Sequence, residues 1–451
     1  MKNRMILWTV LLLTAGCSQQ KKYIVTSPDG KINLTILTEY KNGDQSFPAF
    51  TVDVLDRQII QPSPIRIKTD KNPFKGNKFN VTNIVREFHE NKWVNQFGER
   101  KEVPDNYSEL KIFLENDEIK INLIYRAYNE GIAFAYEFPD QEGKDSVTIT
   151  DEKISFNFTS DHYAWSAARA QAQYSRVPLS QIEKGCERPL VIEIDTNLII
   201  ALAEAKLVDY ARMKFNPDTT RNYNVITQLG SPVQRALPFQ SPWRVVMIGK
   251  NPGDLLEKNY LLLNLNDPCE VSDVSWIKPG KVLREVTLTT TGAKAAVDFT
   301  SSHNMQYVEF DAGWYGPENN DLSDARAVNL DPARSKGPLD MEDVISYARS
   351  RNIGILLYVN RKALEKQLDE LLPIYKKWDL MPPSWQKQSV FSVHCSFFTG
   401  TTRLLQHLKK MMACGEQQTI SAMNLNWNSS TICLLSGMKQ KYCMQKSVNL
   451  E

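Results

Sequence analysis

The sequence predicts a large antiparallel β-sandwich followed by the opening of a (β/α)8 barrel that breaks off, truncated or frameshifted, toward the C-terminus. Three observations lead there. Short alternating strand candidates separated by turn residues fill the region up to about residue 285. A strand–helix–strand–helix series follows from about residue 300. After Trp378 the composition changes abruptly. The 451 residues suggest two or three domains, at about 150 residues per domain. With 42% hydrophobic and 24% charged residues, the chain has material for packed cores and is not a disordered or collagen-like polymer. A net charge of +2 argues against a dedicated nucleic-acid surface, so no nucleic-acid partner is expected. Seven scattered cysteines do not make a disulfide scaffold.

Residues 1–17 read as an address rather than as fold. Lys2 and Arg4 precede the apolar run Met5–Leu13, which is too short to span a bilayer. Ala15-Gly16-Cys17 closes the run before polar Ser18-Gln19-Gln20, the pattern of an export signal. A cysteine directly after small residues resembles a bacterial lipoprotein signal, which makes Cys17 the expected lipidation site; an ordinary cleaved signal is the alternative. Either reading exports the chain, and the first adds a lipid anchor in the membrane, placing it in the periplasm or at the outer membrane.

The sandwich is expected over residues 22–285. Ser27-Pro28-Asp29-Gly30 is a turn, because Pro presets φ and Gly accepts positive φ. Ile32, Leu34 and Ile36 then alternate with Asn33 and Thr35, and Ile119, Ile121, Leu123 and Tyr125 repeat the period after Asn116-Asp117-Glu118. Further strands are expected at Ser146–Ile149, Val191–Ile194, Leu198–Ala203 and Val245–Ile248, with long helices scarce. Many short strands at regular spacing point to a sandwich. Tyr163, Trp165 and Tyr174 form an aromatic cluster within it; core packing is the expected role, and a sugar platform is the alternative.

The partial barrel is expected over residues 290–380. Tyr307–Asp311 is its first strand, running into Ala312-Gly313-Trp314-Tyr315-Gly316. Asp340 can cap a helix that buries Val344, Ile345 and Ala348. Ile353–Val359 is apolar on both faces, as parallel strands are. Arg361–Trp378 follows as a helix with Leu364, Leu368, Leu371, Leu372 and Tyr375 at helical spacing. This grammar opens an α/β barrel. Residues 381–451 break it: the only acidic residues there are Glu416 and Glu451, yet Cys395, Cys414, Cys433 and Cys443 all fall in this stretch. No third barrel strand is evident after Trp378. A corrupted reading frame, and a tail without a native fold, is the first interpretation; a divergent real segment is the second.

Six stretches together resemble glycoside hydrolase family 97: Ser27–Lys31, Arg126–Phe134, Ala203–Tyr210, Ser241–Arg244, Ser275–Gly280 and Phe310–Gly316. Their order and spacing cover about residues 22–378. The resemblance implies an exported bacterial α-glycosidase built from an N-terminal β-supersandwich, a (β/α)8 barrel and a small C-terminal β domain. It implies an α-glucosidase acting on α-linked oligosaccharides, with a retaining α-galactosidase or a non-catalytic carbohydrate-binding remnant as alternatives. The later strands that hold the family's catalytic carboxylates find no match here. The catalytic residues are therefore unassigned, the inverting or retaining outcome is unread, and the literal chain is expected to be inactive. The resemblance also implies a calcium ion, with Glu204 as the ligand reaching from the sandwich and Glu187, in Cys186-Glu187-Arg188-Pro189, as a second candidate; oxygen ligands suit that cation.

Glycoside hydrolysis requires two carboxyl groups about the bond. Glu309 and Asp311 share one strand face, with Asp311 at the carboxyl end where barrel sites sit. Asp311 is the expected sugar-lining residue, orientation of its loop being the alternative. Trp314 and Tyr315 are expected to offer ring faces to the sugar. Asn360 and Arg361 end the next strand and can reach sugar hydroxyls; for Arg361, capping the sheet end or pairing with a carboxylate is the first reading. His89, His162, His303, His394 and His407 show no paired metal spacing, and CxxC, GxGxxG, P-loop and GxSxG motifs are absent from the sequence.

Overall fold

The computed structural model describes residues 22–42, 45–70, 79–95, 99–169, 172–220, 223–268, 279–380, 389–395, 423–425 and 430–436. Cys17 and most of the tail lie outside them. Among the described residues, no helix is long and apolar enough to cross a membrane.

Two antiparallel sheets form the N-terminal sandwich. The first has eight strands, ordered Lys22–Thr26, Ile32–Asn42, Gln45–Val54, Arg57–Thr69, Ser146–Asn157, Asn224–Leu229 and Met213–Pro217, with Val233–Ala236 pairing onto Ser146–Asn157. The second has ten, ordered Ser175–Pro178, Tyr163–Ser166, Leu190–Asp195, Leu198–Ala205, Trp243–Gly249, Gly131–Phe138, Lys120–Tyr128, Glu102–Glu115 and Asn80–Val94, with Phe239–Gln240 on Gly131–Phe138. The expected sandwich strands fall inside these, except that Ile119 precedes the strand Lys120–Tyr128. Alternation explains the layers: Ile32, Leu34 and Ile36 point inward with Phe50, Phe134, Phe156 and Ile200 to make one continuous core. The expected turn forms, with the Gly30 N–H donating to the Ser27 carbonyl at φ +75°.

The second sheet also has an outer core. Ile199, Ala201, Ala203, Val245 and Met247 project to its far face and meet Leu255, Leu261 and Leu265. These three belong to or directly follow the short helices Pro252–Glu257 and Tyr260–Asn264. Near-continuous apolar runs in these central strands thus reflect burial on both sides.

From residue 282 the pairing becomes parallel. Val282–Glu285, Tyr307–Phe310, Gly354–Tyr358 and Ser389–Cys395 are successive parallel neighbours. The helices Thr290–Ser302, Met341–Ser350 and Arg361–Trp378 connect them. Tyr307–Phe310 is therefore not the first strand of this unit, and the boundary at 285 falls one strand too late. Ser389–Cys395 occupies the position after Trp378 where no strand was legible. Beyond it Ser430–Ser436 and Met423–Leu425 join antiparallel. Val308, Phe310, Ile355 and Leu357 pack against Val297, Val344, Ile345, Leu364 and Leu368 in a core separate from that of the sandwich. The Asp340 carboxylate accepts the Asp343 N–H at 3.0 Å, the cap expected from the sequence.

Candidate functional site

The carboxyl ends of the parallel strands gather the first group of candidates. Arg284 stands opposite Glu309 in the ladder, and its guanidinium reaches Asp311 Oδ2 at 2.8 Å. Asp311 Oδ1 accepts the Ala312 N–H at 2.8 Å. Asp311 is thus fixed at the strand end, partly open, and braced by an arginine that no sequence motif marks. Gly313 turns the chain away at φ +103°, where an added Cβ would meet Arg334 Cδ at 2.9 Å and Leu288 Cδ1 at 3.0 Å. A side chain there would both strain the backbone and collide.

Burial, and then the neighbouring Asp311 carboxylate, push the Glu309 carboxyl up from its usual range, with Arg284 opposing. A carboxyl raised in the folded state favours the fold at low pH, and that contribution is lost as pH rises through the folded value. Glu309→Gln is accordingly expected to raise the thermal midpoint at pH 7, with the difference from wild type shrinking toward about pH 4. A lower midpoint for the variant at pH 7 would show that the charge is needed.

Trp314 and Tyr315 are not sugar-facing. Both are fully buried. Trp314 Nε1–H donates to the Tyr358 carbonyl at 2.7 Å, and the Asn360 N–H donates to the Tyr315 hydroxyl at 2.7 Å. The two rings meet edge-on, 4.9 Å between centroids. The expectation fails because the helix layer needed large apolar volume directly behind the strand ends, and buried Trp and Tyr still found partners for their polar atoms. Asn360 caps the Arg361–Trp378 helix, its Oδ1 accepting the Lys362 N–H at 2.9 Å. Its amide nitrogen makes long contacts, 3.4 Å each, to Asn319 Oδ1 and the Tyr358 hydroxyl. The Arg361 side chain lies outside the described residues.

The long segment after Asp311 is strapped to that helix. Arg326 pairs with Asp324 at 2.8 Å and with Glu370 at 2.6 Å, and Gln367 donates to Asp324 at 3.0 Å. Arg326 beside Asp324 holds its carboxyl down at about 2.

Glu204 and Glu187 meet inside the sandwich in a buried ion-pair cluster. The Arg244 Nη1 lies 2.8 Å from Glu204 Oε2, and the same guanidinium clasps Glu152 at 2.5 and 2.8 Å. Arg188 pairs with Glu204 and lies 2.8 Å from Glu187 Oε2. Arg212 and Lys214 approach Glu187 Oε1 at 3.2 and 2.9 Å. The Met213 N–H donates to both Glu204 oxygens at 3.2 and 3.3 Å. Tyr136 donates to Glu152 Oε2 at 2.9 Å and also meets the Tyr210 hydroxyl. Arg244 stays charged because two carboxylates overcome its desolvation.

These carboxylates do not fit a calcium ion as folded. Both Glu204 oxygens already face guanidinium groups, and Glu187 faces three cationic side chains. Among the described residues, no group of three or more His, Cys, Asp or Glu side chains is placed to hold a metal. The sequence showed Glu204 and Glu187 but not the cations gathered around them, because Arg188, Arg212 with Lys214, and Arg244 come from three separate segments.

Comparison with known proteins agrees with this architecture. The model "Glycosyl-hydrolase 97 N-terminal" matches residues 25–268, and "Glycoside hydrolase 97" matches residues 276–382. A retaining alpha-galactosidase of Bacteroides thetaiotaomicron is 26% identical over 471 aligned residues, covering 90% of this chain and 67% of the relative. A probable retaining alpha-galactosidase of Streptomyces bingchenggensis is 21% identical, covering 71% of this chain and 51% of the relative. The structure of a family 97 enzyme from Pseudoalteromonas sp. strain K8, in complex with acarbose, superposes with a TM-score of 0.68 at 23% identity. That match covers 79% of this chain and 58% of the solved one, so this chain spans little more than half of that enzyme. With two consecutive models matched, the first over more than half of its length, the chain belongs to glycoside hydrolase family 97.

Proposed function

We propose that this chain is the sandwich and opening strands of an exported, lipid-anchored α-glycosidase of the retaining α-galactosidase kind, with Asp311 lining the sugar site. The observation behind it is Asp311 itself, held by Arg284 at the carboxyl end of a parallel strand within the segment matching the catalytic family model. An ordered, partly open carboxylate suits sugar hydroxyls, whose O–H groups donate to it. The names of the two curated relatives support the galactoside reading. The acarbose complex of the Pseudoalteromonas enzyme favours the second reading, an α-glucosidase.

Glu309 and Asp311 rise side by side from one wall, whereas hydrolysis needs carboxyl groups flanking the bond. The strands described after them, Ser389–Cys395, Met423–Leu425 and Ser430–Ser436, carry no carboxyl residue. The chain by itself is therefore expected to release no nitrophenol from p-nitrophenyl α-galactoside or α-glucoside, with or without millimolar CaCl2. It is expected to bind methyl α-galactoside more strongly than methyl α-glucoside by saturation-transfer NMR, and to lose that preference in Asp311→Ala. Turnover would defeat the inactive reading, a preference for the glucoside would favour the second, and an unaltered preference in Asp311→Ala would remove Asp311 from the site.

A further inference from the structure

The aromatic cluster of the sandwich is not core. The strand Tyr163–Ser166 alternates cleanly: Ala164 and Ser166 are buried, while Tyr163 is 45% and Trp165 40% exposed. Tyr174, just before the strand Ser175–Pro178, is 48% exposed. Among the described residues, the helices on the outer face of this sheet pack on Leu198–Ala205, Trp243–Gly249 and Glu102–Glu115, with Leu255 and Leu261 in one cluster with Ala201 and Val245. They leave the outer strands Tyr163–Ser166 and Ser175–Pro178 bare at their aromatic positions. Large rings are the side chains that gain most from burial, so Tyr163 and Trp165, exposed on one face of one strand, mark a surface that receives something.

The rings stand in an ordered polar frame. Trp165 Nε1–H donates to Glu193 Oε1 at 3.0 Å. Arg176 grips Glu193 with its Nε at 3.1 Å from each oxygen and its Nη2 at 2.6 Å. Its guanidinium lies 3.8 Å from the Tyr163 ring centroid. Register explains the convergence, since Trp165 pairs with Arg176 and Tyr163 with Glu193 across adjacent strands. The indole is thus held by its edge, and among the described residues no ring or cation stacks on its face. Arg176 and Glu193 neutralise each other, so the patch has no net charge to attract phosphate or an acidic peptide.

A broad apolar ring face, bordered by a fixed donor–acceptor pair and without net charge, matches one chemistry well. A pyranose has apolar C–H faces and a rim of hydroxyls. We propose that the outer face of the Tyr163–Ser166 and Ser175–Pro178 strands is a second sugar-binding surface, distinct from Asp311, on which a ring of an α-linked oligosaccharide stacks on Trp165 with its hydroxyls toward Arg176 and Glu193. The ligand class rests on the function proposed above, but the surface does not depend on Asp311. Stacking reads the ring face rather than one hydroxyl, so this surface tolerates both gluco- and galacto-configured rings.

The test titrates the full chain with maltotriose and with raffinose and follows the ligand by saturation-transfer NMR. Wild type is expected to bind both sugars. Trp165→Ala is expected to weaken both by at least about fivefold. Trp165→Phe keeps the ring, loses only the N–H, and is expected to retain most of the binding. Asp311→Ala is expected to remove the epimer preference while keeping, for both sugars, the part of the binding that Trp165→Ala removes. No binding by wild type, or equal binding by Trp165→Ala, overturns the surface. Loss of all binding in Asp311→Ala alone would leave the Asp311 site standing and overturn this one. Loss in Trp165→Ala together with an Asp311→Ala variant that keeps its epimer preference would do the reverse. Concentration-dependent self-association abolished by Trp165→Ala would show that a protein covers the patch, and would also overturn the proposal.

Discussion

Arg244→Met is expected to cost the sandwich about 3–5 kcal/mol, because removing one partner of a buried ion pair leaves uncompensated charge behind. Arg244 is 1% exposed, and Glu152 and Glu204 are both fully buried in their side chains. The methionine fills the volume but leaves Glu152 with tyrosine hydroxyls and Glu204 with Arg188 and a backbone amide. At about 2–4 °C per kcal/mol for a unit of this size, the midpoint should fall by roughly 6–20 °C. Combining Arg244→Met with Glu152→Gln and Glu204→Gln should recover part of the loss, since the carboxylates left without Arg244 become neutral while Arg188 keeps Glu187. Differential scanning calorimetry of the three proteins decides the matter. A single variant melting within a degree of wild type would mean that water reaches the carboxylates.

The second large effect lies in the α/β unit. Trp314→Ala should destabilise it by about 3–5 kcal/mol through the cavity alone. Trp314 packs against Tyr315, Tyr375 and Trp378, with centroids 4.9, 6.3 and 6.2 Å away. The truncation also strips the Tyr358 carbonyl of its indole donor. Trp314→Phe keeps a ring and gives up that bond, for a smaller loss of roughly 1 kcal/mol. Because the two units have separate cores, the loss should be local. Hydrogen exchange should show the amides of Met341–Ser350 and Gly354–Tyr358 opening while those of Leu198–Ala205 stay protected. Equal loss of protection in both units would show them to be coupled.

What the sequence made legible follows physical lines. Strands with one buried face announced themselves: Ile32, Leu34 and Ile36 are buried at the positions their alternation requires. The Asp340 cap and the Arg361–Trp378 helix were equally open to reading, since caps and helical periodicity are local signals. The long hairpin Asn80–Val94 with Glu102–Glu115 was not, because much of Asn80–Val94 is exposed on both faces and shows no apolar period. The helices that cover the second sheet are too short to show periodicity.

The site residues divide in the same way. Asp311 could be placed at a strand end by counting residues. Its partner Arg284 belongs to a strand whose role appears only through parallel pairing. Trp314 and Tyr315 were taken for a sugar platform and are core; Tyr163 and Trp165 were taken for core and stand in solvent. Residue type is the same in both cases. The presence or absence of a covering layer decided the outcome, and a layer is a property of distant sequence.

The Arg244 cluster has a consequence for how the two sheets are held in alignment. Glu152 belongs to the eight-stranded sheet, whereas Arg244 and Glu204 face each other on adjacent strands of the ten-stranded one. Apolar faces are nearly indifferent to sliding over each other, because hydrophobic attraction has no direction. A guanidinium clasping a carboxylate across the gap is not indifferent: a displacement of one pleat repeat would strand charges on both sides in oil-like surroundings. The interior of this sandwich therefore contains a rivet, and the sheets can shear past it only by breaking it.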